Sequence, residues 1–229
     1  MISDFKHIMM KEFEMTDLGL MSYLLGIKVI QGDDEIFIHQ WKFAGEFLKK
    51  FKMEDSNSVK TQIETGIKLM KEGDGRTVDV TYFKQIFGSL RYLTCTRPDI
   101  CYVVGLVSQY MESPRQVHLQ AVERIMRYIK STTTFDLFYS SSKKIEIVGY
   151  LDSDWGGDSG KRKSKSGNCF MIRKTVCLWS SKKQSIVALS TCEAELEDQI
   201  ADILNKPLKI DAFIKLRDLL GMKVVPNQN

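Results

Sequence analysis

The sequence predicts an α+β fold, with a helical first part joined to a β-rich second part. Three observations lead there. Apolar residues recur at helical spacing over most of the first 130 positions, and from Leu137 onward the apolar period falls to two. The composition, with 43% hydrophobic and 27% charged residues in 229, is that of an ordinary globular protein. It excludes collagen-like, wholly disordered and disulfide-framework chains. At about 100–200 residues per domain, one large or two small domains fit.

The elements follow in order. Residues 4–15 place Phe5, Ile8, Met9 and Phe13 on one helical stripe, with Ser3 positioned to cap it. Tyr23–Ile30 and Glu35–His39 flank Gln31-Gly32-Asp33-Asp34 and predict a hairpin, in which Asp33 and Asp34 are turn residues. Residues 41–51 form a helix with Phe43, Phe47, Leu48 and Phe51 inward, and the polar stretch from Glu54 to about Asp79 is a connector. Helices are predicted at Tyr82–Thr94, at Ile100–Met111 after Pro98, and at 115–130 after Ser113-Pro114. The last turns Val117, Ala121, Ile125 and Ile129 inward and Arg115, Arg124, Arg127 and Lys130 outward.

The strand candidates are Phe138-Tyr139, Ile145–Tyr150, Gly167–Arg173, Val176–Ser180 and Ile186–Leu189. Ser190-Thr191-Cys192-Glu193 matches a capping box, so a helix is expected there, ended by Asn205-Lys206-Pro207. Asp211–Leu220 is the last amphipathic helix, with Gly221 at C′. The two parts meet around residues 131–144, where the Thr/Ser-rich run from Ser131 to Ser142 is the weakest point of the hydrophobic pattern.

No run approaches the about 18 apolar residues of a membrane span, and the N-terminus lacks the charged-then-apolar order of a signal peptide. An intracellular location, cytoplasm or nucleus, is the expectation. Cys95, Cys101, Cys169, Cys177 and Cys192 show neither C-x-x-C nor zinc spacing and are expected to be buried free thiols. Charge is unevenly placed. Residues 1–58 hold 7 Lys and no Arg against 10 acids, whereas residues 112–183 hold 9 Lys and 5 Arg against 7 acids. A basic half on a chain of net charge +4 is suited to a polyanion.

The chemically informative patch is Gly149–Asp158. An apolar strand ends on Asp152 and Asp154, two residues apart and therefore on one face of an extended chain, and Glu193 and Glu195 lie in the first turn of the helix expected from Ser190. Acids converging from separate elements are what a magnesium-dependent phosphodiester hydrolase requires, because hard Mg²⁺ takes oxygen ligands. Surface capping by the same acids is the competing reading. Gly156–Lys161 fails the phosphate-loop pattern, since Arg162 follows Lys161. His7, His39 and His118 lack a nucleophile partner and are expected as surface or capping groups. Trp155, Trp179 and Tyr150 are candidates for base or sugar contact, with core packing the simpler use of the tryptophans.

Several long motifs, in order, resemble the copia-type retrotransposon Pol polyprotein. They are Glu12–Gly19, Leu25-Gly26-Ile27, Gly88–Ile100, Gly149–Trp155, Arg162–Gly167, Trp179–Gln184, Leu189–Glu195 and Ala201–Leu208. The resemblance implies the end of a reverse transcriptase palm, thumb and connection over 1–136. An RNase H-like mixed sheet with helices and the Pol tail would follow over 137–229. By resemblance, Asp152 and Glu195 are the first two metal-binding catalytic acids, and the cofactor is Mg²⁺. The implied partners are an RNA–DNA hybrid or another nucleic acid, and an upstream reverse transcriptase segment within a larger polyprotein. Arg124, Arg127, Lys130, Lys161, Arg162, Lys163 and Lys165 are candidate nucleic-acid contacts.

The resemblance also defines what is expected to be missing. The family's polymerase carboxylates, in Tyr-x-Asp-Asp, fall before residue 1. The helix bearing Glu195 runs directly into Asp198–Asp202, which resembles the tail, so an internal deletion is expected to have removed two further RNase H acids. Two carboxylates hold two divalent ions poorly, and a catalytically defective fragment is the leading expectation. A non-catalytic nucleic-acid-binding module and a decayed reading frame remain open beside it.

Overall fold

A computed structural model of the chain describes residues 2–16, 19–67, 69, 75–140, 146–154, 165–183 and 200–224. Its first helix is α1 (Ile2–Glu12), followed by β1 (Tyr23–Leu24), β2 (Ile27–Gln31) and β3 (Glu35–His39). Helices α2 (Trp41–Lys50), α3 (Val80–Leu93), α4 (Cys101–Val107) and α5 (Gln116–Ser131) come next. Strands β4 (Phe135–Ser140), β5 (Ile147–Asp154), β6 (Lys165–Ile172) and β7 (Thr175–Lys183) precede a 3₁₀ turn at Ile200–Leu204, α6 (Ile210–Leu219) and β8 (Met222–Val224). The α+β class is therefore observed. Among the described residues, no helix is long and apolar enough to cross a membrane.

One sheet runs β1-β2-β3-β4-β8 and the other β5-β6-β7, with antiparallel pairing throughout. The mixed sheet expected of the second part is thus purely antiparallel among the described strands. The expected junction at 136/137 falls inside β4, which pairs with β3 on one side and β8 on the other. A strand from each expected part and one from the tail share a sheet, and one apolar core joins them. Phe83, Ile86 and Leu90 of α3, Val103 of α4 and Ile125 and Ile129 of α5 belong to it. So do Leu137 of β4, Cys169 of β6, Ile203 and Leu204 of the 3₁₀ turn and Phe213 of α6.

Local chemistry explains most of these elements. Asp79 caps α3 by accepting from the Tyr82 N–H. His118 closes α5 by accepting the Arg115 N–H at Nδ1, 3.0 Å, while its buried ring stacks 3.8 Å from Tyr110. Gly221, at φ +82°, is the C′ residue of α6, where only a residue without Cβ fits against Thr175. The Tyr23–Ile30 run expected as one strand turns at Leu25-Gly26, both at positive φ, giving a type I′-like turn and a second hairpin.

Other expectations are corrected. Ser3 lies inside α1 rather than capping it, and the stripe residues Phe5, Ile8 and Phe13 are more than half exposed. Of the cysteines, Cys169 is buried, Cys101 and Cys177 are half-buried and Cys95 is exposed, all four as free thiols; Cys192 lies outside the described residues. His39 is buried, not at the surface, with its ring stacked 4.0 Å from Trp41. The Ile186–Leu189 strand and the helix from Ser190 also lie outside the described residues.

Candidate functional site

Strand β5 carries Asp152 directly opposite Gly167 of β6, which in turn faces Ser181 of β7. Opposed residues in an antiparallel ladder point to the same face, so these three form a row across the sheet. A Cβ on Gly167 would lie 2.7 Å from the Ala201 carbonyl oxygen and 2.9 Å from Leu204 Cβ. Glycine therefore lets the 3₁₀ turn settle on β6, beside Asp152. Pro207 follows, stopping the turn from continuing as a helix.

This close packing builds a polar cluster. The Asn205 side-chain amide donates to Asp152 Oδ2 at 2.6 Å. Lys206 Nζ lies 2.9 Å from Asp202 Oδ1 and 3.5 Å from Asp152 Oδ2, bridging the two acids. Burial and a hydrogen bond with the Asp152 carboxyl push Asp202 up to about 6, against the opposing pull of Lys206. Burial alone would lower the Lys206 pKa, but its bonds and charge attraction to the two acids hold it above the ordinary lysine value.

Such an arrangement suits one cation, and that cation is the protein's own ammonium. A divalent pair would need several oxygen ligands free of competing donors. Here one Asp152 oxygen already accepts from Asn205 and faces Lys206. Among the described residues, no group of three or more His, Cys, Asp or Glu side chains is placed to hold a metal. The donor set described does not fit a two-ion centre.

The acid at Asp202 is the residue that the sequence reading assigns to the tail and leaves out of the site. Its signal was present as spacing, because Asp202, Asn205 and Lys206 recur at i, i+3 and i+4 and share one helical face. Which strand that face would meet was not legible. Glu195, Lys161, Arg162 and Lys163 lie outside the described residues, so their placement relative to Asp152 is not part of the geometry.

The remaining basic candidates are committed internally. Arg124 pairs with Glu64 and reaches Thr61 Oγ1 at 3.2 Å. Arg127 Nε donates to the Asn57 carbonyl at 2.6 Å, and Lys130 Nζ to the Ser56 carbonyl at 2.7 Å. These outward residues of α5 clamp the connector onto the helix. Lys165 is buried rather than on the surface, its Nζ 4.5 Å from the centre of the Tyr102 ring. Trp179 donates its indole N–H to the Thr94 carbonyl at 3.1 Å, and Trp155 lies outside the described residues.

Residues 1–65 match the reverse transcriptase (RNA-dependent DNA polymerase) family. The chain is 37% identical to the retrovirus-related Pol polyprotein from transposon TNT 1-94 of Nicotiana tabacum, across 85% of this chain and 15% of that one. It is 33% identical to the Pol polyprotein from transposon RE1 of Arabidopsis thaliana, across 93% of this chain and 14% of that one. The chain belongs to the copia-type retrotransposon Pol family. As a copia-type fragment it spans about one seventh of the Pol polyproteins it matches. It is also similar to the uncharacterized mitochondrial protein AtMg00810 of Arabidopsis thaliana, at 34% identity over 80% of this chain and 76% of that one. No solved structure matches the chain.

Proposed function

We propose that this copia-type fragment binds an RNA–DNA hybrid through a reverse transcriptase thumb and connection (1–136) and a truncated RNase H-like part (137–229), and that it does not cut the hybrid at a practical rate. The observation that carries this reading is the occupation of Asp152 by Asn205 and Lys206. Hybrid hydrolysis with Mg²⁺ would require Asp152 and Glu195 to gather further oxygen ligands. The described tail supplies one acid, Asp202, and brings a competing ammonium with it. Mg²⁺ binding at Asp152 is therefore weak on this reading, and each tenfold lost in rate corresponds to about 1.4 kcal/mol of transition-state stabilisation.

The uneven charge and the polyprotein context support nucleic acid as the partner. An upstream reverse transcriptase segment would complete the polymerase, and the exposed Phe5, Ile8 and Phe13 of α1 offer it an apolar surface. A cleavage assay on a labelled hybrid with Mg²⁺ tests the reading, with Asp152→Asn as control. The expected result is no cleavage above background in either protein, with hybrid affinity falling steeply as salt rises. Metal-dependent cleavage that disappears in the Asp152→Asn protein would overturn the catalytic defect. A salt-independent affinity would overturn hybrid binding.

A further inference from the structure

The start of α2 has no side-chain cap. Gln40 precedes the helix, and its amide oxygen accepts from Thr96 Oγ1 at 2.8 Å rather than from the first helical N–H groups. Trp41, the first residue of α2, ties this end to the sheet instead. Its indole N–H donates to Asp136 Oδ1 of β4 at 2.5 Å, and its ring stacks 4.0 Å from that of His39 at the end of β3. Its backbone N–H donates to His39 Nδ1 at 3.5 Å. His39 and Asp136 follow Ile38 and Leu137 as the next opposed pair of the β3–β4 register, so they share a face with Cβ atoms about 4.5–5.5 Å apart. Both residues are buried, and His39 Nε2 and Asp136 Oδ2 have no hydrogen-bond partner among the described residues.

The protons on these two atoms follow from the bonds already made. A backbone N–H only donates, so Nδ1 of a neutral His39 is the acceptor and Nε2 carries the ring proton. Trp41 uses Asp136 Oδ1 as its acceptor, so a protonated Asp136 carries its hydrogen on Oδ2. Two donors then confront each other across the ladder. Ionisation of Asp136 turns Oδ2 into an acceptor, and the pair becomes complementary. Burial pushes Asp136 up to about 7, moderated by the Trp41 bond and by Arg97, while burial and Lys28 hold His39 down to about 4. The carboxyl is therefore the member of the pair that changes charge near neutral pH. The other charges facing the pair are Lys28 opposite His39 on β2, Lys223 opposite Asp136 on β8, and Arg97 with its partner Asp99. The cations favour an ionised carboxyl and oppose a charged imidazole.

We propose that His39 and Asp136 form a pH-gated latch on the start of α2, in which ionisation of Asp136 draws the His39 Nε2–H onto Oδ2. The carboxylate then accepts from both Trp41 and His39 and fixes the first turn of α2 to β3 and β4. Protonation of Asp136 breaks the Nε2–H···Oδ2 bond and leaves that turn held without it. One proton is exchanged with solvent, and the closed state is the alkaline one. The latch does not depend on what the fragment binds.

The test follows the full chain by NMR at pH 5.5 and pH 8.5, as wild type, His39→Phe and Asp136→Asn. The probe is hydrogen exchange at the Ala44 amide, which bonds the Gln40 carbonyl at 2.9 Å in the first turn, corrected for the intrinsic pH dependence of exchange. Wild type should be roughly tenfold more protected at pH 8.5, the effect of one charge-assisted hydrogen bond. His39→Phe keeps a ring against Trp41 and removes the Nε2–H, and Asp136→Asn keeps an acceptor for the indole and removes the ionisation; both should lose the gain. Equal protection at the two pH values in wild type would overturn the latch. A gain that survives in His39→Phe would overturn His39 as the donor, and one that survives in Asp136→Asn would overturn Asp136 as the gate. Should His39→Phe fail to fold, the wild-type imidazole nitrogens decide. A ring proton on Nε2, moving downfield as Asp136 ionises, is the expected result, and a ring proton on Nδ1 at pH 8.5 would overturn the proposal.

Discussion

Gly167 lies directly opposite Asp152 across the β5–β6 ladder, and the backbone of Ala201 fills the space where a Gly167 side chain would project. The glycine thereby sets the height of the 3₁₀ turn above the sheet, and with it the reach of Asn205 and Lys206 to Asp152. Gly167→Ala should cost about 1–3 kcal/mol through overpacking. It should also lengthen the Asn205–Asp152 bond. Urea unfolding measures the first effect, and the Asn205 side-chain amide resonance follows the second. A variant with wild-type stability and an unshifted amide would show that the turn is positioned by other contacts.

His39 and Asp136 give a pH dependence with opposing signs. They follow the β3–β4 register as the next opposed pair, Trp41 Nε1 donates to Asp136 Oδ1 at 2.5 Å, and His39 Nε2 and Asp136 Oδ2 find no hydrogen-bond partner among the described residues. Burial pushes Asp136 up to about 7, moderated by the Trp41 bond and by Arg97, while burial and Lys28 hold His39 down to about 4. The folded state therefore holds the Asp136 proton that an unfolded chain releases above its ordinary value, so this residue's contribution to stability falls from about pH 4 to pH 7. His39 contributes the reverse, because the unfolded chain binds its proton below about 6.5 and the folded chain only below about 4. Asp136→Asn keeps an acceptor for Trp41 and removes the titration. Its Tm should exceed that of wild type at pH 8 and approach it at pH 4.5. An equal gain at both values would rule out a buried ionising carboxyl.

How far such features could be read in advance depends on their range. The i, i+3, i+4 stripes gave α2, α3 and α5, and Gly221 gave the end of α6, because these depend on neighbours within one turn. The α1 stripe was legible as apolar but its exposure was not, since periodicity shows that a face is apolar without showing what covers it. Asp152 was legible as a strand-end carboxylate. Its partners Asn205 and Lys206 were not, because they depend on the tail crossing β6, a contact more than fifty residues away in sequence. The α5 cations illustrate the same limit. Their outward spacing was visible, whereas the carbonyls of Ser56 and Asn57 that take their donors belong to an irregular connector.

Clamping by α5 predicts a local defect when it is removed. Arg127→Ala combined with Lys130→Ala frees the Asn57 and Ser56 carbonyls and should loosen the connector while leaving the core unchanged. Limited proteolysis should then cut between residues 54 and 67 faster than in wild type, with a Tm within a few degrees. Unchanged cleavage would show that the connector is held without these two bonds, by the packing of Ile63 and Val59 and by Arg124.

Arg97 and Asp99 form a buried pair at 2.8 Å, with Asp99 also accepting from Tyr128 and Arg97 donating to Thr132. Asp99→Ala leaves the guanidinium buried without its carboxylate and should cost about 3–5 kcal/mol. Arg97→Met together with Asp99→Leu removes both charges and should recover part of that loss. Chemical denaturation of the three proteins measures the difference, and a double variant less stable than Asp99→Ala would show that the pair does more than satisfy itself.

Lys206 is the counter-charge of the two acids, and its removal has a predictable electrostatic signature. Burial and the Asp152 carboxyl raise Asp202, and Lys206 is the group that opposes them. Lys206→Met should therefore move the Asp202 midpoint upward from about 6. The pH interval over which Asp202 weakens the fold, from its ordinary value to its folded midpoint, should widen at its upper end. Carboxyl carbon NMR titration reads the midpoint directly, and thermal unfolding between pH 5 and 8 reads the stability change. Lys206→Arg keeps a positive charge near both acids and should hold the midpoint close to wild type. An Asp202 midpoint that stays near 6 in Lys206→Met would mean that solvent already screens the ammonium.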